Sequence, residues 1–495
     1  MKGRLWICIL AFVVLQAAAP AGGRADSVYA GYIYDAWGNS VPAPNAYLPQ
    51  TVVSGEKETG RAFRSPADLF VHDEKTVYIS DAGNHRVVVL DETLGFVREI
   101  TAYYDKEGVK REIRNPAGLF VDREERLYVC LPDEESVVVL DGENRLIRTY
   151  GRPDTDLLEP TARYKPVKVL ANQLGTVFIL PRGLYLGAVM FAADGKFLGF
   201  YGANKVTATL GVIIDYQWKQ LLSQKQVDSM GRYVPIQYAS FDMDGENFIY
   251  TCTNDSTAAN EISKLNPLGH NVLVRYLRNR TGQTGDYGDL HKGYYMGQIQ
   301  DSSFVDICVH PTGIFYALDH SRGRIFVYDQ ESHLLSVFGG PGYQNGTFLN
   351  AAAIDTMGDR VLVLDADKGS VTVFEKTEYG RLVERAVLLY ADGLYQEARE
   401  IWREVARLNV NCELAYIGIG KALYEQGDYR QAMHYFELGY DRAGYSRAYE
   451  EYRKIAARQI MPHVLTTLLV GGLAAVFLVK IKKRGRAAGK GGAGR

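Results

Sequence analysis

The chain has 495 residues, of which 47% are hydrophobic, and its 56 basic and 58 acidic residues leave a formal net charge of −2. This length exceeds what one hydrophobic core usually supports, so a large domain and a smaller one are expected. The near balance of charge lacks the basic electrostatic footprint of a nucleic-acid-binding protein, and no nucleic acid partner is predicted. The five cysteines show no CxxC spacing and imply no disulfide framework.

The first 25 residues have the plan of a secretory signal peptide. Lys2 and Arg4 precede an apolar run from Leu5 to Leu15, and small residues continue to Ala25. This pattern predicts export, with cleavage after Ala25 or after Ala21. The alternative is a retained membrane helix, but the apolar run is short for a bilayer span.

A repeat of about fifty residues follows. Arg64 to Val71 returns as Arg114 to Val121, Val87 to Asp91 returns as Val137 to Asp141, and a third copy starts at Lys165. A period near fifty with four short strands per unit is typical of a β-propeller blade. Weaker copies that begin near Phe241, Val305 and Ala353 bring the expected number of blades to six.

The turn of the first copy carries Asp81, Asn84 and Arg86 in the pattern Asp-x-x-Asn-x-Arg-Val, and the fifth copy keeps Asp319 and Arg324. Asp and Asn suit such a turn because they bond nearby backbone groups, and Arg offers a fork of donors. The motif resembles the NHL repeat of β-propellers. The resemblance implies a mainly β, six-bladed NHL-like propeller over residues 26–377, in which these five residues have a structural role.

A propeller that closes on itself needs a partner for its last open edge. Two N-terminal segments have strand-like composition, Val28 to Tyr34 and Tyr47 to Val53. We predict that one of them pairs with the last blade.

Two insertions interrupt the repeats. Residues 205–230 have apolar side chains at helical spacing, which predicts a helix packed on the propeller. Residues 275–297 are instead rich in glycine, tyrosine and charge, a composition that suits stacking and hydrogen bonding to a sugar, although an ordinary solvated loop would look similar. The candidate ligand-binding residues are Arg278, Arg280, Asp286, Tyr287, His291, Tyr294 and Tyr295.

From residue 380 the pattern is helical. Tyr390 to Ala398 returns 34 residues later as Tyr424 to Ala432, with Gly393 and Gly427 at the turns. The pattern resembles the tetratricopeptide repeat, which implies paired helices over residues 380–458 and a protein partner in their groove. At four positions we expect a small side chain to be required, because a larger one would separate the paired helices. These positions are Gly393, Ala398, Gly427 and Ala432. A helix from Tyr445 to Arg458 is expected to cap the pair.

The C-terminus carries an apolar segment at residues 460–481, followed by a basic tail at 482–495. Roughly twenty apolar residues span a bilayer, so the segment predicts one transmembrane helix, with a buried soluble helix as the alternative. By the positive-inside rule the tail lies in the cytoplasm and the body outside.

No GxSxG, HExxH, phosphate-binding loop or EF-hand pattern occurs in the sequence, so no catalytic residue, cofactor or metal is predicted. Asp68 and Asp306 occupy blade positions from which they could line the central channel and hold a divalent ion, as in lactonase-type propellers. Turn capping or backbone bonding is the favoured alternative for both.

The leading hypothesis is a non-catalytic, membrane-anchored extracytoplasmic binding or scaffold protein, whose propeller binds a polysaccharide or a protein. The overall plan resembles bacterial NHL-propeller proteins with tetratricopeptide repeats and a membrane anchor, which implies an association with a carbohydrate ABC transporter. The alternative is a propeller enzyme, either a metal-dependent lactonase-like hydrolase or a polysaccharide lyase.

Overall fold

A computed structural model describes residues 28–489, except 157, 159–162, 185, 203–236, 255–260, 274–286, 290–292, 296–297 and 301. The chain divides into two compact units, Met1–Glu378 and Tyr379–Arg495. The described part of the first unit is almost entirely β-strand, and that of the second is helical. The predicted insertion at 205–230 lies outside the described residues.

The first unit is a six-bladed β-propeller built from antiparallel sheets. The strands of each blade follow one another outward in chain order from the innermost strand, except that N-terminal strands complete blades five and six. The N-terminal elements are β1 (Tyr32–Tyr34), β2 (Ser40–Pro42), β3 (Tyr47–Val53) and the short helix α1 (Glu56–Thr59). Blade one consists of β4 (Asp68–His72), β5 (Thr76–Asp81), β6 (Arg86–Leu90) and β7 (Phe96–Ile100), and is followed by a hairpin of β8 (Ala102–Tyr104) and β9 (Lys110–Glu112). Blade two consists of β10 (Leu119–Val121), β11 (Leu127–Leu131), β12 (Ser136–Leu140) and β13 (Leu146–Tyr150). Blade three consists of β14 (Lys165–Ala171), β15 (Val177–Arg182), β16 (Ala188–Phe191) and β17 (Phe197–Tyr201).

The described strands of blade four are β18 (Ser240–Met243), β19 (Ile249–Cys252) and β20 (Ile262–Leu265), and they are followed by a hairpin of β21 (Gly293–Tyr295) and β22 (Gln298–Gln300). Blade five consists of β23 (Phe304–Val309), β24 (Phe315–Asp319), β25 (Arg324–Tyr328) and β26 (Leu334–Gly339). Blade six contains β27 (Ala351–Met357), β28 (Arg360–Asp365) and β29 (Ser370–Lys376). The six innermost strands, β4, β10, β14, β18, β23 and β27, contact one another in a closed ring.

Both N-terminal segments join the propeller, but on different blades. Strand β3 is the outermost strand of blade six and pairs with β29 from Val53 opposite Val371 to Tyr47 opposite Lys376. Strand β1 instead pairs with β26 and, with β2, extends blade five to six strands. The propeller is therefore closed by Tyr47–Val53, as the second sequence alternative predicts, and the first segment covers another edge.

The apolar cores lie between neighbouring blades. Ile79 and Val88 of blade one pack in one cluster with Leu362 and Leu364 of blade six, and all four side chains are fully buried. Alternation along each strand sends one set of side chains to each neighbouring blade, so the central strands are apolar on both faces. Cys130, Cys252 and Cys308 are buried free thiols on such strands.

The described residues from Glu378 onward form five helices. They are α2 (Glu378–Ala391), α3 (Tyr395–Leu408), α4 (Glu413–Glu425), α5 (Tyr429–Leu438) and α6 (Arg442–Gly489). Ala398 and Ala432 are at most 1% exposed, so both are closely packed between helices.

The two turn glycines are required for a different reason from the one that the sequence suggested. Gly393 and Gly427 have φ of +77° and +82°, and a Cβ added to either would meet nothing within 4 Å. They are small because the left-handed backbone at the helix end favours glycine, and not because space is short. Close packing depends instead on Gly418, whose added Cβ would lie 2.4 Å from the ring of the buried Trp402.

Helix α6 is continuous where the sequence suggested a capping helix followed by a separate span. Its most apolar eighteen-residue window has a mean hydropathy of 2.3 and is not buried by the rest of the chain. The helix passes through Pro462, and the Thr466 hydroxyl donates to the Pro462 carbonyl at 2.7 Å. Length and composition therefore make α6 a candidate membrane span.

Candidate functional site

The turn of blade one that carries Asp81, Asn84 and Arg86 is a buried polar network. Asp81 Oδ2 accepts from Arg86 Nε at 2.7 Å and from Asn84 Nδ2 at 2.8 Å, while Asp81 Oδ1 accepts from the Arg64 amide at 2.8 Å. Arg86 is 1% exposed, and its other nitrogens bond Glu99 at 2.7 Å and the Arg61 carbonyl at 2.9 Å. The three predicted residues are brought together, and they fix blade one to the chain that arrives from the closing strand.

Blade five repeats this arrangement with a partner from outside the turn. Arg324 donates to Asp319 Oδ2 from Nη2 at 2.6 Å and to Asp289 Oδ1 from Nη1 at 2.7 Å. Asp289 also accepts from the Tyr34 hydroxyl at 2.6 Å and lies 3.3 Å from Arg322 Nη1. Burial alone would raise the pKa of Asp289, but its bonds with Arg324 and Tyr34 hold that pKa below the ordinary value. A described part of the 275–297 insertion is thus held against blade five.

The predicted ligand-binding loop is only partly described. Tyr287 is buried in the core of blade five, where its hydroxyl donates to Ser332 Oγ at 2.9 Å and its ring meets Tyr328 at 5.2 Å. Tyr294 and Tyr295 lie on β21, which pairs with β22. Four of the predicted residues lie outside the described residues, namely Arg278, Arg280, Asp286 and His291.

The central ring of strands carries an ionic cluster that the sequence analysis missed in part. Lys168 Nζ on β14 lies 2.7 Å from Asp68 Oδ1 on β4 and 3.3 Å from Asp306 Oδ1 on β23. The three residues occupy the same register position of blades one, three and five. Blade two has Gly118 at this position, where an added Cβ would lie 2.4 Å from the Val167 carbonyl oxygen and 2.7 Å from Lys168 Cα, so the glycine allows the close approach of β14. The fifty-residue spacing of 68, 118 and 168 is the sequence signal that could have identified Lys168.

The two carboxylates of this cluster also bond the backbone of the next blade. Asp68 Oδ2 accepts from the Leu119 amide at 2.9 Å, and Asp306 Oδ2 accepts from the Ile354 amide at 2.8 Å. The Ser240 hydroxyl donates to Asp306 Oδ1 at 2.6 Å. Burial raises the pKa of Asp68 to about 6, against the opposing effect of Lys168. Asp68 and Asp306 therefore join blades, as the backbone-bonding alternative predicts.

Two further carboxylates, Asp242 and Asp355, lie on the innermost strands of blades four and six, β18 and β27. Asp242 accepts from the Val309 amide and Asp355 from the Val71 amide, both at 2.7 Å, so each again joins two blades. Burial raises the pKa of Asp242 to about 6 and that of Asp355 well above its ordinary value, and the two carboxylates repel each other. Both side chains remain partly accessible.

The cluster supplies buried charge, proton-exchanging groups and one amine. Within the part of the chain that the structure describes, no group of three or more His, Cys, Asp or Glu side chains could hold a metal ion. The ionisable groups described at this site are Lys168 and the four carboxylates.

Fold and site together define a mainly β, six-bladed propeller with a C-terminal helical region that includes one candidate membrane span. Neither a protein-family model nor a curated protein sequence matches the chain. Among solved structures, a catalytically inactive virginiamycin B lyase from Staphylococcus aureus with quinupristin matches with 8% identity and a TM-score of 0.42, over 67% of this chain and 100% of its own. The selenomethionine-substituted enzyme from the same organism matches with 9% identity and a TM-score of 0.39 over the same shares, and a streptogramin B lyase matches with 10% identity and a TM-score of 0.35 over 64% of this chain and 84% of its own. These low values carry no argument about activity.

Proposed function

We propose that the chain is a non-catalytic, membrane-anchored binding or scaffold protein whose body is extracytoplasmic. Its propeller, of NHL type, binds a glycan or a protein. Its helices, of tetratricopeptide type, dock a protein partner, which the resemblance to transport-associated proteins suggests is a carbohydrate ABC transporter. The predicted signal peptide and the basic tail support this orientation.

The observation that carries the proposal is the continuity of α6. Its first turns pack against α5 through Gly444 and Ala448, which are buried, and the same helix continues into the exposed apolar stretch. Because no break separates the two parts, the paired helices would stand directly at the membrane surface. That is where a segment that docks a membrane-embedded partner is expected.

The proposed glycan contact rests on the hairpin of β21 and β22. This hairpin belongs to an insertion held on the rigid blade-five scaffold through Asp289, and the sequence of its first strand contains two consecutive tyrosines, Tyr294 and Tyr295. Loops on a rigid scaffold are common binding elements, and aromatic faces stack on the apolar faces of sugars.

The docking proposal is tested by affinity capture of the detergent-solubilised full-length chain, beside a form that lacks residues 390–458 but keeps the propeller and the apolar stretch. We expect mass spectrometry to identify transporter subunits with the full-length chain only. Capture of the same subunits by both forms would contradict docking by the helices.

The glycan proposal has its own test on a polysaccharide array. The double variant Tyr294→Ala and Tyr295→Ala is expected to lose binding. The matched control is Tyr343→Ala, which removes an 84% exposed tyrosine from another propeller loop. Equal loss in both variants, or no glycan binding by the native protein, would contradict this part of the proposal.

A further inference from the structure

The Lys168 cluster contains the groups needed for a covalent reaction between side chains. Lys168 Nζ lies 2.7 Å from Asp68 Oδ1, and Asp306 Oδ1 lies 3.3 Å from the same nitrogen. Asp68 and Asp306 are 3% and 2% exposed, so bulk water is largely excluded. Nucleophile, acyl carbon and proton acceptor thus meet within one buried cluster.

We propose that Lys168 and Asp68 condense to an intramolecular amide, with Asp306 as the group that transfers the protons. This inference goes beyond binding or scaffolding, because it assigns a self-modification that ties blade one to blade three. It requires no metal, cofactor or oxidant.

The step balances as a condensation. Asp306 takes a proton from the Lys168 ammonium and passes it to Oδ1 of Asp68, and the neutral Nζ then attacks Cγ of the protonated Asp68 to form a C–N bond. The Leu119 amide, 2.9 Å from Oδ2, donates to the oxyanion that develops there. Asp306 then takes the second proton from Nζ and passes it to Oδ1, and the C–O bond breaks. The two protons that Nζ loses leave with Oδ1 as one water, so Asp306 ends as it began.

The surroundings favour each role. The Ser240 hydroxyl and the Ile354 amide fix Asp306 at 2.6 and 2.8 Å. The raised pKa of Asp68 makes its protonated, electrophilic form accessible near neutral pH. Burial alone would lower the pKa of Lys168, but the two carboxylates raise that pKa by a larger amount, so it lies above its ordinary value. The amine therefore becomes nucleophilic only when a neighbouring carboxylate accepts its proton. That acceptor is Asp306.

The experiment is peptide mapping of the purified full-length protein after denaturation and trypsin digestion. The amide would block cleavage at Lys168 and join peptide 65–75 to peptide 164–182, with the loss of one water, about 18 Da. On a denaturing gel the cross-linked chain should migrate faster than Lys168→Arg, because a loop of the chain stays closed. Recovery of peptide 65–75 unlinked, together with peptides 164–168 and 169–182 from cleavage at Lys168, from the folded native protein would overturn the proposal.

Two variants separate the assigned role of Asp306 from a general effect on folding. Asp306→Asn keeps an acceptor for the Ile354 amide but cannot take the proton, so the linked peptide should be lost. Asp242→Asn changes a partly accessible carboxylate on the innermost strand of blade four and should retain the linked peptide. Persistence of the link in Asp306→Asn, or its loss in Asp242→Asn, would overturn the role given to Asp306.

Discussion

At the scale of single residues, the buried guanidinium of Arg86 connects three separate groups of the blade-one network. Its nitrogens bond the Asp81 carboxylate, the Glu99 carboxylate and the Arg61 carbonyl. A lysine at this position keeps the charge but not the planar fork, so at least one of the partners is left without its donor. We expect Arg86→Lys to lower the free energy of unfolding by about 3 kcal/mol, measured by urea titration in detergent.

The matched control is Arg111→Lys. Arg111 Nε also bonds a carboxylate, that of Asp105 at 2.9 Å, but its side chain is 59% exposed. Exposed pairs contribute at most about 1 kcal/mol, so this variant should behave almost as the native protein. An equal loss of unfolding free energy in the two variants would show that burial of the blade-one network does not contribute to stability.

A second residue-scale prediction concerns pH. The folded pKa of Asp242 is about 6, above the ordinary value of 3.8, so the folded state binds this proton more tightly than the unfolded state. The contribution of Asp242 to the free energy of unfolding therefore falls as the pH rises from about 4 to about 6. Asp242→Asn keeps acceptors for the Val309 amide and removes this penalty. We expect the variant to gain about 1 to 3 kcal/mol relative to the native protein above pH 6, and little at pH 4, in urea titrations across pH.

The opposite sign is expected at Asp91. This exposed carboxylate accepts from the Thr93 hydroxyl and two backbone amides, which hold its pKa below the ordinary value. Its contribution to stability is present above the unfolded pKa and is lost as the pH falls, so Asp91→Asn should destabilise at neutral pH and converge with the native protein in acid. A common sign for the two variants would contradict the burial argument for Asp242.

At the scale of elements, the closing strand β3 offers a test within one strand. Val53 is 3% exposed and packs between blades six and one, whereas its neighbour Val52 is 37% exposed. Truncation of a buried aliphatic side chain costs about 2 kcal/mol, and truncation of an exposed one much less. We expect Val53→Ala to speed proteolysis of the propeller and Val52→Ala to leave it unchanged. Equal protease resistance in the two variants would contradict closure through β3.

The repeat was readable from the sequence because each blade reuses the same strand spacing, as 64–71 and 114–121 show. The blade edge that each N-terminal segment covers could not be read from the sequence, because Tyr32–Tyr34 and Tyr47–Val53 both suit an outer strand. Lys168 was missed because its partners lie on blades one and five, and no local motif marks a contact across the ring. The sequence context of Tyr287 is typical of a binding loop. Its burial in the core could not be predicted, because that burial depends on contacts with residues of blade five.

At the scale of the whole molecule, the exposed apolar stretch of α6 has the length and composition of a membrane span. A charged residue at the centre of a membrane span costs about 2.5 to 3.5 kcal/mol, so two arginines should prevent insertion. Val470 and Leu473 are 59% and 64% exposed and lie within the stretch, so their replacement disturbs no packing in the described chain. We expect Val470→Arg with Leu473→Arg to move the protein from the membrane pellet to the alkaline-soluble fraction.

The control for this change is an arginine on the propeller surface. Leu174 is 87% exposed in a turn of blade three, so Leu174→Arg adds the same charge without touching α6. This variant should stay in the membrane pellet with the native protein. If the doubly substituted α6 also stayed there, attachment would have to come from another part of the chain or from a bound partner. The paired helices would then not be held at the membrane surface by α6, and docking of a membrane-embedded partner there would lose its support.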